Sequence, residues 1–145
     1  VIERLPSPAP HELDALTSLW ESSVRATHRF LVPEDIEFYR RMVREEALQA
    51  VELYVIRDNE NGFAAFAGVE ADMLEMLFVA PSVRGKGLGR KLIEYLVVHR
   101  GIRRVDVNEQ NTQAVGFYAR MGFRVASRDA LDPSGRPYPI LHLTL

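Results

Sequence analysis

No stretch of this chain constrains its fold more than Arg84-Gly85-Lys86-Gly87-Leu88-Gly89. An apolar run, Met76-Leu77-Phe78-Val79-Ala80-Pro81, leads into it, and Arg90-Lys91-Leu92-Ile93-Glu94-Tyr95-Leu96 follows. The pattern is a strand, a basic glycine-rich turn and a helix start. Alternating glycines clear side chains from the turn, so several backbone N–H groups can converge on one hollow. The helix adds its unpaired first-turn N–H groups and the positive end of its dipole. Such a turn suits a phosphate or pyrophosphate held mainly by backbone donors, with Arg84, Lys86 and Arg90 supplying positive charge beside it.

Two common phosphate motifs can be tested by spacing. In a Walker loop started at Gly85, the second glycine would fall on Arg90. In a dinucleotide fingerprint, the third glycine would fall on Arg90 or, counted from Gly87, on Leu92. Both fail. What remains is Arg-x-x-Gly-x-Gly, carried by Arg84, Gly87 and Gly89.

The rest of the chain frames this turn. Residues 2–5 read as a short strand ended by Pro6, Pro8 and Pro10. Leu13, Leu16, Trp20 and Val24 predict a helix over 11–27. Pro33 starts a second, with Ile36, Tyr39, Val43 and Ala47 on one face. Strands are predicted at 51–57, 63–70 and 71–79, with a turn at 58–62 and Ala71-Asp72 as a connecting turn. A helix over 88–99 and a strand over 102–107 follow. Asn111 can cap a helix bearing Ala114, Phe117, Tyr118 and Met121, which Gly122 ends. Strands at 123–128 and 138–145 close the chain. The expected fold is one mixed α/β domain over residues 1–145.

Composition narrows the function classes. A chain of 145 residues with 47% hydrophobic content can bury a real core. Its net charge of −2 disfavours nucleic acid as a partner. It contains no cysteine, which excludes disulfides, thiolate metal sites and a cysteine nucleophile. No apolar run is long enough to span a membrane, and no signal-peptide pattern is seen, so a cytoplasmic protein without membrane association is expected.

The turn, placed after Val79-Ala80-Pro81, resembles the coenzyme A loop of the GNAT superfamily of N-acetyltransferases. The stretch from Val107 to Phe123 is similar to that family's Asn-x-x-Ala-x-x-x-Tyr-x-x-x-Gly-Phe element, with Asn111, Ala114, Tyr118, Gly122 and Phe123 in the matching places. The match covers roughly residues 73–123. Residues 24–31 and 107–111 also resemble the YjaB-like bacterial subgroup. The resemblance implies a central, mostly antiparallel sheet of about seven strands flanked by about four helices. It implies acetyl-CoA as co-substrate, no metal, and transfer of the acetyl group to a primary amine by direct attack in a ternary complex. A coenzyme A-binding sensor on the same fold is the alternative, and a different nucleotide-binding α/β domain is a third reading.

By the same resemblance, Arg84, Gly85, Lys86, Gly87, Leu88, Gly89 and Arg90 hold the pyrophosphate. Leu77, Phe78 and Val79 offer backbone groups to the acetyl-pantetheine arm, and Asn108 and Asn111 contact coenzyme A. Tyr118 hydrogen-bonds the departing thiolate. Tyrosine has an ordinary pKa of about 10 and a thiol one of about 8.5, so a hydrogen bond is easier than full proton transfer. The base for the amine is open among Asp106, Glu75, His28, more weakly His142, and a water relay. Of these, His28 has an ordinary histidine pKa suited to neutral pH. The acceptor, a small-molecule or peptide amine, is expected near the first two helices and residues 128–139, with Glu34, Asp35 and Glu37 as acidic attractors. A homodimer through the C-terminal strand is a further expectation.

Overall fold

The computed structural model describes every residue from Val1 to Leu145. The strands are β1 (Ile2–Leu5), β2 (Glu52–Arg57), β3 (Phe63–Glu70), β4 (Met73–Val79), β5 (Arg104–Asn108), β6 (Arg124–Asp129) and β7 (Ile140–Thr144). They form one sheet in the order β1-β2-β3-β4-β5-β7-β6. All neighbours are antiparallel except β4 and β5. The helices are α1 (Pro10–Thr27), α2 (Pro33–Met42), α3 (Leu48–Ala50), α4 (Leu88–Arg100) and α5 (Thr112–Arg120). A π turn, Val43–Ala47, joins α2 to α3 in one rod, so four helical rods flank the sheet.

That π turn modifies the helix predicted from Pro33. The wider turn brings residues five apart onto one face, so Val43 and Leu48, rather than Val43 and Ala47, are the buried pair. On the sheet, β2 keeps the period-2 rule. On β2, Leu53 and Val55 pack toward α1 and α2, while Tyr54 and Ile56 pack toward α4. β3 is buried along Phe63–Val69 because helices cover both its faces.

β4 breaks the alternation. Val69 pairs with Leu74 and Gly68 with Met76, which leaves Glu75 as the extra residue of a bulge. Leu74 and Leu77 therefore pack on the α4–α5 side, while Met76 packs on the α1 side. β4 then leaves β5. Only Met73 with Arg104 and Leu74 with Val105 remain paired. The two strands diverge like the arms of a V that opens toward the glycine turn.

The last strand lies inside the sheet, between β5 and β6. Both its edges are used, so a dimer built by pairing the C-terminal strand is not available; the free edges belong to β1 and β6. No helix is long and apolar enough to cross a membrane.

Candidate active site

The V between β4 and β5 opens into a cleft of about 710 Å³, bounded by the glycine turn, the start of α5 and the end of α1. Of the residues assigned from sequence to coenzyme A or to the candidate base set, only Lys86 and His142 lie outside its lining. Glu75, Asp106, His28, Tyr118, Asn108, Asn111 and the strand Leu77–Val79 are thus brought to one place from β4, β5, the end of α1, and α5 with its cap.

At the turn end, Gly85 and Gly87 both have φ of +78°. Gly87 is the residue before α4, and the N–H of Lys91 is the first to return to it. No backbone acceptor meets the N–H groups of residues 85–90. Six consecutive free donors at a helix start can serve as an anion cradle made by the main chain. Arg84 is held aside by a 2.7 Å hydrogen bond to Gln113, and Arg90 by one of 2.6 Å to Glu94. Neither partner was visible as a motif. Gln113 lies 29 residues from Arg84 and meets it only when α5 docks.

In the middle of the cleft, β4 beyond Leu74 has β3 on one side and no strand on the other. Its free N–H and C=O groups face the gap. Such an edge can take an extended amide-bearing chain as if it were a further strand.

Asn111 and His28 share one hydrogen-bond chain. The Asn111 side-chain oxygen caps α5 by accepting from the Ala114 N–H at 3.2 Å. The Thr27 hydroxyl gives its proton to the Ser23 carbonyl at 2.8 Å. His28 Nδ1 must therefore donate to Thr27 Oγ1, also at 2.8 Å, which leaves Nε2 to accept from Asn111 Nδ2 at 3.3 Å. Burial pushes the His28 pKa down to about 4, not the near-neutral value expected from its residue type. A neutral ring with both nitrogens engaged ties the end of α1 to the cap of α5.

Tyr118 is buried, and its ring stacks edge-on with Phe117 and Phe123. Burial raises its pKa above the ordinary value. The hydroxyl makes no hydrogen bond within the protein, yet no buried side-chain oxygen is left without a partner, so it opens on the cleft.

Glu75 and Asp106 meet on the α1 side of the sheet. Glu75 follows Leu74, which packs on the other side, and Asp106 points there because Val105 and Val107 are buried on the other side. Glu75 has no hydrogen-bonded or ionic partner. Its pKa is raised by burial first, then by Glu70 and Asp106. Asp106 instead accepts from His142 Nδ1 at 2.7 Å, and His142 Nε2 contacts Asp129 at 2.7 Å. Asp129 and Asp106 raise the His142 pKa.

The region expected to receive the acceptor is bound to itself. Tyr39 donates to Asp132 and Tyr138 to Asp35. Arg136 pairs with Asp35 at 2.9 Å and lies 3.6 Å above the Phe38 ring. Of the acidic residues expected to attract an amine, Asp35 is consumed in this clasp and Glu37 pairs with Arg40 and Arg41. Only Glu34 stays unpaired.

An open mixed sheet with a bulged, splayed central strand, a row of free main-chain donors and a tyrosine hydroxyl facing the gap offers one cleft for an extended, anion-bearing ligand. Residues 49–125 match the acetyltransferase (GNAT) domain family, and the chain belongs to that family. It is 38% identical over 135 residues to the peptidyl-lysine N-acetyltransferase YjaB of Salmonella typhimurium, covering 91% of this chain and 90% of that one. With YjaB of Escherichia coli, the identity is 41%, over 91% and 89% of the two chains. The solution structure of the apo form of Escherichia coli YjaB superposes with a TM-score of 0.87, at 36% identity over 99% of this chain and 95% of that chain. YncA of Salmonella typhimurium, solved with acetyl-CoA, shares the fold at a TM-score of 0.65 and 19% identity over 100% and 92% of the chains. The chain is an N-acetyltransferase, and acetyl-CoA is its acyl donor.

Proposed function

We propose that this enzyme transfers the acetyl group of acetyl-CoA to the ε-amino group of lysine in a protein or peptide, by direct attack within a ternary complex. The acceptor class rests on the likeness to the two peptidyl-lysine N-acetyltransferases over nine-tenths of the chain. The observation that carries the mechanism is Glu75, an unpartnered carboxylate that lines the cleft at the β4 bulge and whose pKa is raised.

The pyrophosphate lies against the N–H groups of residues 85–90, and the pantetheine amides lie along Leu77–Val79. A lysine ammonium approaches from the α1 side of the sheet, drawn by Glu75 and Asp106. An amine of pKa about 10.4 is almost wholly protonated at neutral pH, so a base must take its proton. Glu75 takes it, directly or through one water. The freed nitrogen attacks the acetyl carbon, an N–C bond forms, and the C–S bond breaks. A β4 N–H stabilises the oxyanion. Tyr118 donates a hydrogen bond to the leaving sulfur; its raised pKa keeps the proton on the phenol, so the thiolate is reprotonated from solvent or from the proton the amine released. Asp106 and His142 set the charge of the acceptor side, and His28 positions Asn111. Cytoplasmic residence fits an acetyl-CoA donor.

The test is acetylation of a lysine-containing peptide panel with acetyl-CoA, resolved by mass spectrometry. Transfer to lysine ε-amines is expected. Exclusive transfer to α-amines or to small polyamines would overturn the acceptor assignment.

A further inference from the structure

The chain carries 18 lysine and arginine residues, and two of them, Lys86 and Lys91, are lysines. Both lie at the pyrophosphate turn. Of the four cations from Arg84 to Lys91 that flank it, Arg84 is tied to Gln113 and Arg90 to Glu94. The two lysines are exposed and make neither a hydrogen bond nor an ion pair. Lys86 differs from Lys91 in its backbone. It sits between Gly85 and Gly87, outside any helix, on a turn whose residues 84–87 are all exposed. It is the one residue of 84–90 that does not line the cleft, so filling the cleft does not by itself bury it. Lys91 lies in the first turn of α4, and its backbone could enter another active site only by unwinding that turn.

We propose that Lys86 is an acetylation site of the enzyme itself, modified by a second copy, and that the modification lowers affinity for acetyl-CoA. The inference rests on the lysine-acceptor reading above. A bare Gly-Lys-Gly turn presents its ε-amine with no neighbouring side chain to obstruct entry into an acceptor cleft. Reaction within one molecule is excluded by position, because Lys86 is at the pyrophosphate end of β4 and outside the cleft, whereas Glu75 marks the acyl end. In the transfer, Lys86 Nζ loses a proton and bonds to the acetyl carbon of the other copy's acetyl-CoA. The C–S bond breaks, and coenzyme A leaves as thiolate and is reprotonated. The amide that forms is neutral. It removes one of two unpartnered cations beside a dianionic pyrophosphate, an exposed electrostatic contribution of about two- to threefold in affinity.

Purified enzyme is incubated with acetyl-CoA and digested for mass spectrometry, alongside acetylation of a lysine peptide. One acetyl group at Lys86 is expected, with an initial rate rising as the square of enzyme concentration and falling in Tyr118→Phe in parallel with peptide acetylation. Calorimetry should show Lys86→Gln binding acetyl-CoA about two- to threefold more weakly than Lys86→Arg. An active peptide acetyltransferase whose Lys86 stays unmodified overturns this inference and leaves the function intact. So does modification at an equal rate in Tyr118→Phe, or equal affinity of the two Lys86 variants. Absence of lysine-peptide acetylation overturns the functional reading instead.

Discussion

Gly87 and Gly89 stand two residues apart in one turn, but glycine serves the backbone at one and the proposed ligand at the other, and alanine at each should separate the two. At Gly87 the requirement is backbone conformation. Its φ is +78°, and an added Cβ meets nothing within 4 Å, so the cost is left-handed strain alone. That is about 1–2 kcal/mol. For a domain near this size it lowers Tm by roughly 3–6 °C. At Gly89 the backbone is helical. A Cβ would touch Phe117 at 3.6 Å, Val79 at 3.8 Å and Leu77 at 3.9 Å, all ordinary contacts. Alanine in that first turn should stabilise the protein by about 0.5 kcal/mol. The same methyl, however, projects among Phe117, Val79 and Leu77, which line the cleft, and there it would narrow the space for the proposed pyrophosphate. Gly89→Ala should therefore raise Tm slightly and weaken acetyl-CoA binding by about tenfold or more, a loss near 1.4 kcal/mol. Thermal unfolding and calorimetric titration of both variants decide it. If the two substitutions move Tm in the same direction, or if Gly89→Ala binds acetyl-CoA as the parent does, the assignment of the turn is wrong.

Three further outcomes follow from the site. Tyr118→Phe should cut kcat by about 100-fold with little change in acetyl-CoA affinity or Tm, since the hydroxyl has no protein partner to orphan; an equally large loss of affinity would contradict the role. Glu75→Gln should lower kcat/KM by about 100-fold and abolish the limb of the pH profile that rises through the elevated Glu75 pKa. Because that pKa is raised on folding, Glu75 favours the folded state at acid pH and loses that contribution as pH rises. The glutamine variant should thus be more stable than the parent at pH 7 and no more stable at pH 3, as urea unfolding would report. His28 has the opposite sign. Its pKa falls from 6.5 to about 4 on folding, so stability is lost as pH drops through that window. His28→Ala should flatten the decline between pH 6.5 and 4 by up to about 3 kcal/mol, measured as unfolding free energy against pH.

Much of the site could be read from local chemistry. The glycine turn, the Asn111 cap and Tyr118 are each set by near neighbours in sequence, and the three arrive in the cleft as their spacing implies. Most strand and helix limits differ by one or two residues from those expected. The less legible residues are those that act across the fold. Gln113, which holds Arg84, and Asp129, which brackets His142 with Asp106, belong to no motif. The acidic residues of α2 read as attractors for an amine until Arg136 and Tyr138 are seen to engage Asp35 from about a hundred positions away.

Glu75 shows where sequence stops. By itself the sequence determines the donor-rich glycine turn and the class of fold, because these rest on backbone conformations that glycine, asparagine and local periodicity impose; the acyl donor it gives through its resemblance to the GNAT family. Strict alternation on β4 would put Leu74 and Met76 on one face and Glu75 on the other. The bulge at Glu75 sends Met76 to the α1 side and breaks that parity. Which carboxylate stands unpartnered, which histidine is neutral and which cation is free were decided only by tertiary packing. Burial and the company of other charges set those properties, and both are sums over residues that the chain order keeps apart.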